Sequence, residues 1–165
     1  MTIKLLLKQL ADTRERLAEH GISDEAGYAE LLVAHTLGAS RNLSGVVRGY
    51  DVFCPIRGKV EVRSRTLPLD GRAEARIEIP AKKRGEFSWL AGVIFTSGLD
   101  VHEAYLLPHD AAWDIAATNK NSRTPLKLAL AHPQAEVITA AIREAEIAVG
   151  SQTFSFKPKP LRGAL

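Results

Sequence analysis

The chain has 165 residues, of which 45% are hydrophobic, and a formal net charge of +3. This size and composition are typical of a soluble chain that forms one sizeable core, and we expect a single domain. The longest apolar runs, such as residues 89–95, are far shorter than the roughly 20 residues that a membrane span needs, and no signal peptide or membrane partner is predicted. The single cysteine, Cys54, excludes an internal disulfide and favours a reducing, cytoplasmic compartment.

Two helices are predicted at the start of the chain. The first runs from Ile3 to about Glu19 with leucines at helical spacing, and Gly21 ends it. Ser23 or Asp24 is placed to cap the second helix, which ends before Gly38.

Glu30 is unusual in the second helix. At about 100° per residue it shares a face with Ala26, Val33, Ala34 and Leu37. A carboxylate on an apolar face is rare unless it is paired or binds a cation. The alternative is a position at the edge of that face, from which the side chain reaches water.

Five strands are predicted next, at about residues 47–53, 59–65, 75–79, 88–95 and 102–107. A short helix from His109 to Ala117, a polar loop at residues 119–125 and a final helix from about Gln134 to Val149 follow. This order predicts an α+β or mixed α/β fold, with a central mixed sheet of about five strands flanked by helices. We divide the chain into an N-terminal helix (1–22), a core (23–150) and a basic, flexible tail (151–165).

Charged residues occupy the second strand where a half-buried strand should be apolar. The strand period of two places four of them on one face: Lys59, Glu61, Arg63 and Arg65. Val60 and Val62 lie on the opposite face. Such a face is either a solvated sheet surface or a site where an acid holds a cation and the bases hold an anion.

The turn before this strand decides whether Asp51 meets Glu61. A four-residue loop from Pro55 to Gly58 pairs Asp51 with Val62 and turns it away from Glu61. A five-residue loop, or a bulge near Cys54, pairs Asp51 with Glu61 on one face. A site that contains both Asp51 and Glu61 requires the second register, and the sequence allows either register.

The element order and these residues together resemble the PD-(D/E)XK nuclease superfamily, the restriction-endonuclease-like fold, over about residues 25–117. The matching segments are Ala29-Glu30-Leu31-Leu32-Val33-Ala34, Tyr50-Asp51-Val52, Val60-Glu61-Val62-Arg63-Ser64-Arg65, the strand at residues 89–95, and residues 103–108 before a helix. On this resemblance, residues 23–150 form a nuclease-like core.

The resemblance implies a metal-dependent endonuclease-like domain that acts on DNA. Asp51, Glu61 and the carbonyl of Val62 would bind Mg²⁺ or Mn²⁺, and Glu30 would support the metal or its water. Two carboxylates with waters suit Mg²⁺, which lowers the pKa of a bound water. The chain departs from the family at Arg63, where the family has lysine. Arginine cannot act as a base, but it can clamp a phosphate.

This departure leaves three interpretations open: a slow or unusual nuclease, a nuclease whose lysine has moved, or a domain that binds nucleic acid without cutting it. Lys59, Lys82 and Lys83 are the candidates for a moved lysine. The resemblance implies that the nucleic acid is DNA. The residues expected to contact it are Arg65, Lys82, Lys83, Arg84, Lys120 and Arg123. A homodimer is compatible with the sequence, and a merely solvated charge set at Glu61 and Arg63 is the remaining alternative.

Overall fold

The computed structural model describes residues 1–44, 49–69, 74–119 and 123–150. Within these ranges the α-helices are α1 (Ile3–Glu19), α2 (Glu25–Leu37), α3 (His109–Ala117), α4 (Leu126–Ala131) and α5 (Thr139–Gly150). The strands are β1 (Ser40–Arg41), β2 (Val52–Cys54), β3 (Gly58–Thr66), β4 (Arg76–Glu78), β5 (Trp89–Phe95), β6 (Val101–Pro108), β7 (Arg123–Pro125) and β8 (Glu136–Val137). A short 3₁₀ helix covers Ala81–Lys83.

A mixed central sheet organises the fold. Six of the described strands form it in the order β1-β2-β3-β5-β6-β8, and β4 pairs with β7 in a separate two-stranded sheet. Strands β3 and β5 are parallel, whereas the other neighbours in the central sheet are antiparallel. The predicted α+β class with a central mixed sheet is therefore confirmed, with six strands in place of about five.

The central sheet is the middle of three layers. On one face, sheet residues such as Val62 and Val93 pack against Leu32 of α2 and Ile142 of α5. On the other face, a second core joins the sheet to α3 and to β4: Ile77, Leu90, Ile94, Leu107 and Ala112. Strand β5 is buried on both faces, which explains its continuous apolar sequence.

The first two helices match their predictions. The Asp24 side chain caps α2 by accepting a hydrogen bond from the Gly27 N–H at 3.0 Å. Gly38 follows α2 in the left-handed region at φ 56°, a conformation that costs glycine little because it has no Cβ. The predicted helix over residues 109–117 also has the bounds of α3.

Three sequence predictions of local structure are wrong. The strand expected at 47–53 begins only at Val52, although residues 45–48 lie outside the described ranges. The last helix begins at Thr139 and not near Gln134, because residues 136–137 pair with β6 as β8. Residues 123–125 of the expected polar loop form β7, and α4 follows it.

Helix α1 has no buried residue. Its leucines leave 39–60% of their surfaces exposed. Among the described residues, none of the helices combines the length and the apolar character that a membrane span requires. The predicted basic tail, 151–165, lies outside the described ranges.

Candidate functional site

The hairpin of β2 and β3 has the register that brings Asp51 beside Glu61. Its pairs are Val52 with Val60, Phe53 with Lys59, and Cys54 with Gly58. Regular pairing ends there, and the Asp51 N–H donates to the Val60 carbonyl at 3.1 Å. The Asp51 carboxylate accepts the Val62 N–H at 2.8 Å. Asp51 is thus bonded to both chain neighbours of Glu61, which is the geometry that a shared site requires.

The turn of this hairpin is tighter than either loop considered from the sequence. Three residues, Pro55–Arg57, separate the last pair. Gly58 closes the turn with φ 76°, in the left-handed region that glycine tolerates. The turn stays in place partly through Arg57, whose two terminal nitrogens donate to Glu136 of β8 at 2.7 and 2.6 Å.

Glu61 is buried between two cations. Its side chain is only 1% exposed, with Lys83 Nζ 2.9 Å from Oε2 and Arg63 Nη2 2.6 Å from Oε1. The Arg63 contact is ionic but lacks hydrogen-bond geometry, so Glu61 Oε1 and Arg63 Nε are buried without a hydrogen-bond partner among the described residues. A solvated charge set is therefore excluded at Glu61. Because a buried unpaired carboxylate is costly, Lys83 and Arg63 are required to keep it ionised.

The charge of Asp51 contributes to the raised pKa values of both Glu61 and Glu30. Burial raises the pKa of Glu61, and the Asp51 charge raises it further, whereas Lys83 and Arg63 oppose the shift. Burial also raises the pKa of Glu30, again with a contribution from Asp51. Arg41 opposes that shift, since its Nη2 lies 3.3 Å from Glu30 Oε2. The raised pKa of Glu61 is what a cation bound beside Asp51 and Glu61 would lower.

Lys83 is the lysine that reaches the acids. It ends the 3₁₀ helix that follows β4, 22 positions after Glu61 in the sequence. Of the other two candidates, Lys59 lies over the Tyr50 ring, 5.7 Å from its centroid, and Lys82 is exposed. The Lys83 ammonium group therefore lies beside Glu61, although β3 itself carries Arg63 at the position where the nuclease pattern has lysine.

The acids that meet at this site are two carboxylates, Asp51 and Glu61. Within the described residues, no group of three or more His, Cys, Asp or Glu side chains is arranged to hold a metal ion, so Glu30 does not join the other acids as a third ligand. Mg²⁺ is commonly held by one or two carboxylates with several waters. Both Glu61 oxygens already contact a cation, Lys83 at 2.9 Å and Arg63 at 2.6 Å, so a metal would have to replace one of these partners.

The predicted nucleic-acid contacts separate into three groups. Arg65 and Arg123 line one cleft beside β3. Lys82 and Arg84 flank Lys83, and the Arg84 guanidinium lies 5.9 Å from the centroid of the Trp113 ring. Lys120 lies outside the described ranges. Lys83 itself is engaged with Glu61 and is not a free phosphate contact.

Sequence reasoning missed Tyr105 and Gly92. Arg63 pairs with Gly92 across the parallel strands, and Gly92 pairs with Tyr105 across the antiparallel ones. The Tyr105 ring lies over Gly92, where a Cβ would be 2.6 Å from the hydroxyl oxygen. That hydroxyl is buried without a hydrogen-bond partner in the described part of the chain, and burial raises its pKa. The glycine inside a β-branched strand was the available signal of such a close approach.

Comparison with known proteins assigns this chain to no family. No protein-family model matches the chain, and none of the curated proteins matches it. The site must therefore be interpreted from its own geometry.

Proposed function

We propose that this chain is a metal-dependent endonuclease-like domain that acts on DNA phosphodiesters. The observation that carries the proposal is the meeting of Asp51 and Glu61 on one side of the β2–β3 hairpin, with Lys83 Nζ 2.9 Å from Glu61. Asp51 and Glu61 would bind Mg²⁺ or Mn²⁺ together with the Val62 carbonyl. The metal would polarise the phosphodiester and activate a water.

The cations beside the acids have separate roles in this proposal. Lys83 supplies the amine that the nuclease pattern has on the strand, because an amine changes its protonation state with its surroundings far more readily than a guanidinium. Arg63 is 34% exposed and holds the phosphate through its planar fork. Glu30, whose pKa is raised by burial and by the Asp51 charge, would support the metal or its water.

The test is a calorimetric titration of Mg²⁺ and Mn²⁺ into the wild type and the double variant Asp51→Asn, Glu61→Gln. A matched control is Asp12→Asn, Glu15→Gln, which removes the same two charges from exposed α1. We expect binding to the wild type and the control, and at least a tenfold loss in the site variant. Equal binding by all three proteins, or no binding by any, would overturn the metal site.

Cleavage of a labelled DNA separates the roles of Lys83 and Arg63. Because Lys83 already contacts Glu61, we expect Lys83→Met to abolish cleavage. We expect Arg63→Lys to lower cleavage about tenfold, since lysine lacks the planar fork that holds the phosphate. A large gain of cleavage in Arg63→Lys would instead show that the arginine limits turnover. Lys82→Met is the control for charge, since Lys82 is the exposed neighbour on the same 3₁₀ helix.

A second candidate function is a non-catalytic nucleic-acid-binding or assembly module that retains this fold. It is favoured by one observation: Lys83 and Arg63 together neutralise Glu61 without any metal. This candidate predicts DNA affinity that survives EDTA, because lysine and arginine neutralise phosphates without a metal. Under either function we propose a cytoplasmic location, since Cys54 is free and buried.

A further inference from the structure

A cleft of about 410 Å³ lies between β3 and the small β4–β7 sheet. Its lining consists of charged and polar side chains: Arg63, Ser64, Arg65, Glu74, Arg76, Glu78 and Arg123. The volume is within the range of small-ligand sites, roughly 300–1,000 Å³. Four arginines against two glutamates leave an excess of two positive charges, so the cleft favours an anion.

The arginines of this cleft are held only weakly by their present partners. Arg76 donates from Nε and Nη2 to Glu74 Oε2 at 3.1 and 2.7 Å, but both side chains are more than 40% exposed. Arg123 Nε is 3.8 Å from Glu78, and this pair is exposed as well. Solvent-exposed ion pairs of this kind contribute little. An incoming anion can therefore replace the glutamates as the partner of both guanidinium groups.

Arg65 and Arg63 supply the strand side of the cleft. Arg65 is exposed and has no ion-pair partner among the described side chains. Arg63 both lines the cleft and contacts Glu61. Its buried Nε has no hydrogen-bond partner within the described ranges. Arg63 therefore links the cleft to Glu61.

We infer that this arginine cleft binds a phosphate group, of a nucleotide or of a polynucleotide backbone, without the help of a metal. Guanidinium forks match the oxygens of a phosphate in pairs, and four of them line this one space. Glu74 and Glu78 compete with the phosphate and keep the arginines in place when it is absent. The inference rests on the proposed function for the ligand's identity as nucleic acid, but the binding itself requires neither Asp51 nor Glu61 to hold a metal.

Fluorescence anisotropy of a labelled thymidine oligonucleotide in EDTA tests the cleft. We expect Arg65→Ala and Arg76→Ala each to weaken binding about tenfold, since each removes a charged hydrogen-bond donor. Glu74→Gln should strengthen binding about threefold, because it removes a competing carboxylate. The matched controls are Arg14→Ala and Glu15→Gln on exposed α1, which change the net charge by the same amounts and should stay within about twofold.

Cleft variants that behave like the α1 controls would overturn the inference. Displacement of the oligonucleotide by thymidine monophosphate would identify a free nucleotide as a sufficient ligand, whereas binding of the oligonucleotide alone would identify the polymer backbone. The double variant Asp51→Asn, Glu61→Gln should bind the oligonucleotide in EDTA at least as tightly as the wild type, because it removes no residue of the cleft and releases Arg63 from Glu61. If the wild type binds no metal while its oligonucleotide affinity and the effects of the cleft variants persist, the proposed nuclease function fails and the phosphate cleft stands. If metal binding is intact but the cleft variants have no effect, only the cleft fails.

Discussion

Lys83→Met removes the ammonium group that lies 2.9 Å from Glu61 Oε2 while it keeps a long side chain in the same place. Removing one partner of a buried ion pair costs about 3–5 kcal/mol. Two observations reduce that range here, because Arg63 still contacts Glu61 and the Lys83 side chain is 17% exposed. We therefore expect a loss of about 2–3 kcal/mol in the free energy of unfolding, or roughly 5–10 °C in Tm for a chain of this length.

The loss should depend on pH through Glu61. Burial and the Asp51 charge raise its folded-state pKa above the usual value, so the folded protein binds this proton more tightly than the unfolded chain does. The stability that this raised pKa contributes is fully present below the unfolded pKa and is lost as the pH rises through the folded pKa. Lys83 acts in the opposite direction because it stabilises only the ionised form. The loss of unfolding free energy in Lys83→Met should therefore be largest near about pH 8 and become smaller toward about pH 4.

Urea denaturation at these two pH values measures the effect, with Lys82→Met as the matched control. Lys82 precedes Lys83 on the same 3₁₀ helix and is exposed, so its replacement should change the free energy by less than about 0.5 kcal/mol. In the Glu61→Gln background, Lys83→Met should cost less than about 1 kcal/mol, since no buried charge is then left unpaired. Equal losses for the two lysines, or an undiminished loss in the Gln background, would refute the ion-pair reasoning.

Two further changes test the rest of the fold. Gly92→Ala would place a Cβ 2.6 Å from the Tyr105 hydroxyl oxygen, so we expect thermal denaturation to show a loss of about 2 kcal/mol in the free energy of unfolding. Tyr105→Leu in the double variant should restore part of it, because it removes the hydroxyl. A loss below about 0.5 kcal/mol would contradict this packing. Deleting residues 1–19 removes α1, which has no buried residue, and should change the free energy of unfolding by less than about 1 kcal/mol. A larger loss that depends on protein concentration, accompanied by a change of mass in sedimentation, would show that α1 is buried between copies.

The regular helices could be predicted because their signals are local. Asp24 and Gly38 mark the two ends of α2 in the sequence, and both have the expected roles in the structure. Short strands carry no comparable signal. Strands β1 and β8 have two residues each, too few for a period of two to show. Their pairing depends on contacts with strands that are distant in the sequence.

Part of the candidate site could also be predicted from local signals in the sequence. Glu30 and Glu61 could be selected because a carboxylate in an apolar pattern is anomalous whatever it contacts, and both have raised pKa values in the fold. Their partners could be predicted only in part. Lys83 was one of three candidate lysines and Arg41 was not a candidate at all, and only their positions beside Glu61 and Glu30 distinguish them.

By itself the sequence determined the α+β class, the bounds of α1 and α3, and the identity of the unusual acids, because propensity, capping and periodicity act over a few residues. Only the tertiary structure decided the hairpin register, the choice of Lys83 among three lysines, and the arginine cleft between β3 and the β4–β7 sheet. Each of these joins segments that are far apart in the chain. Their energies come from burial and charge pairing in three dimensions, which no short stretch of residues encodes.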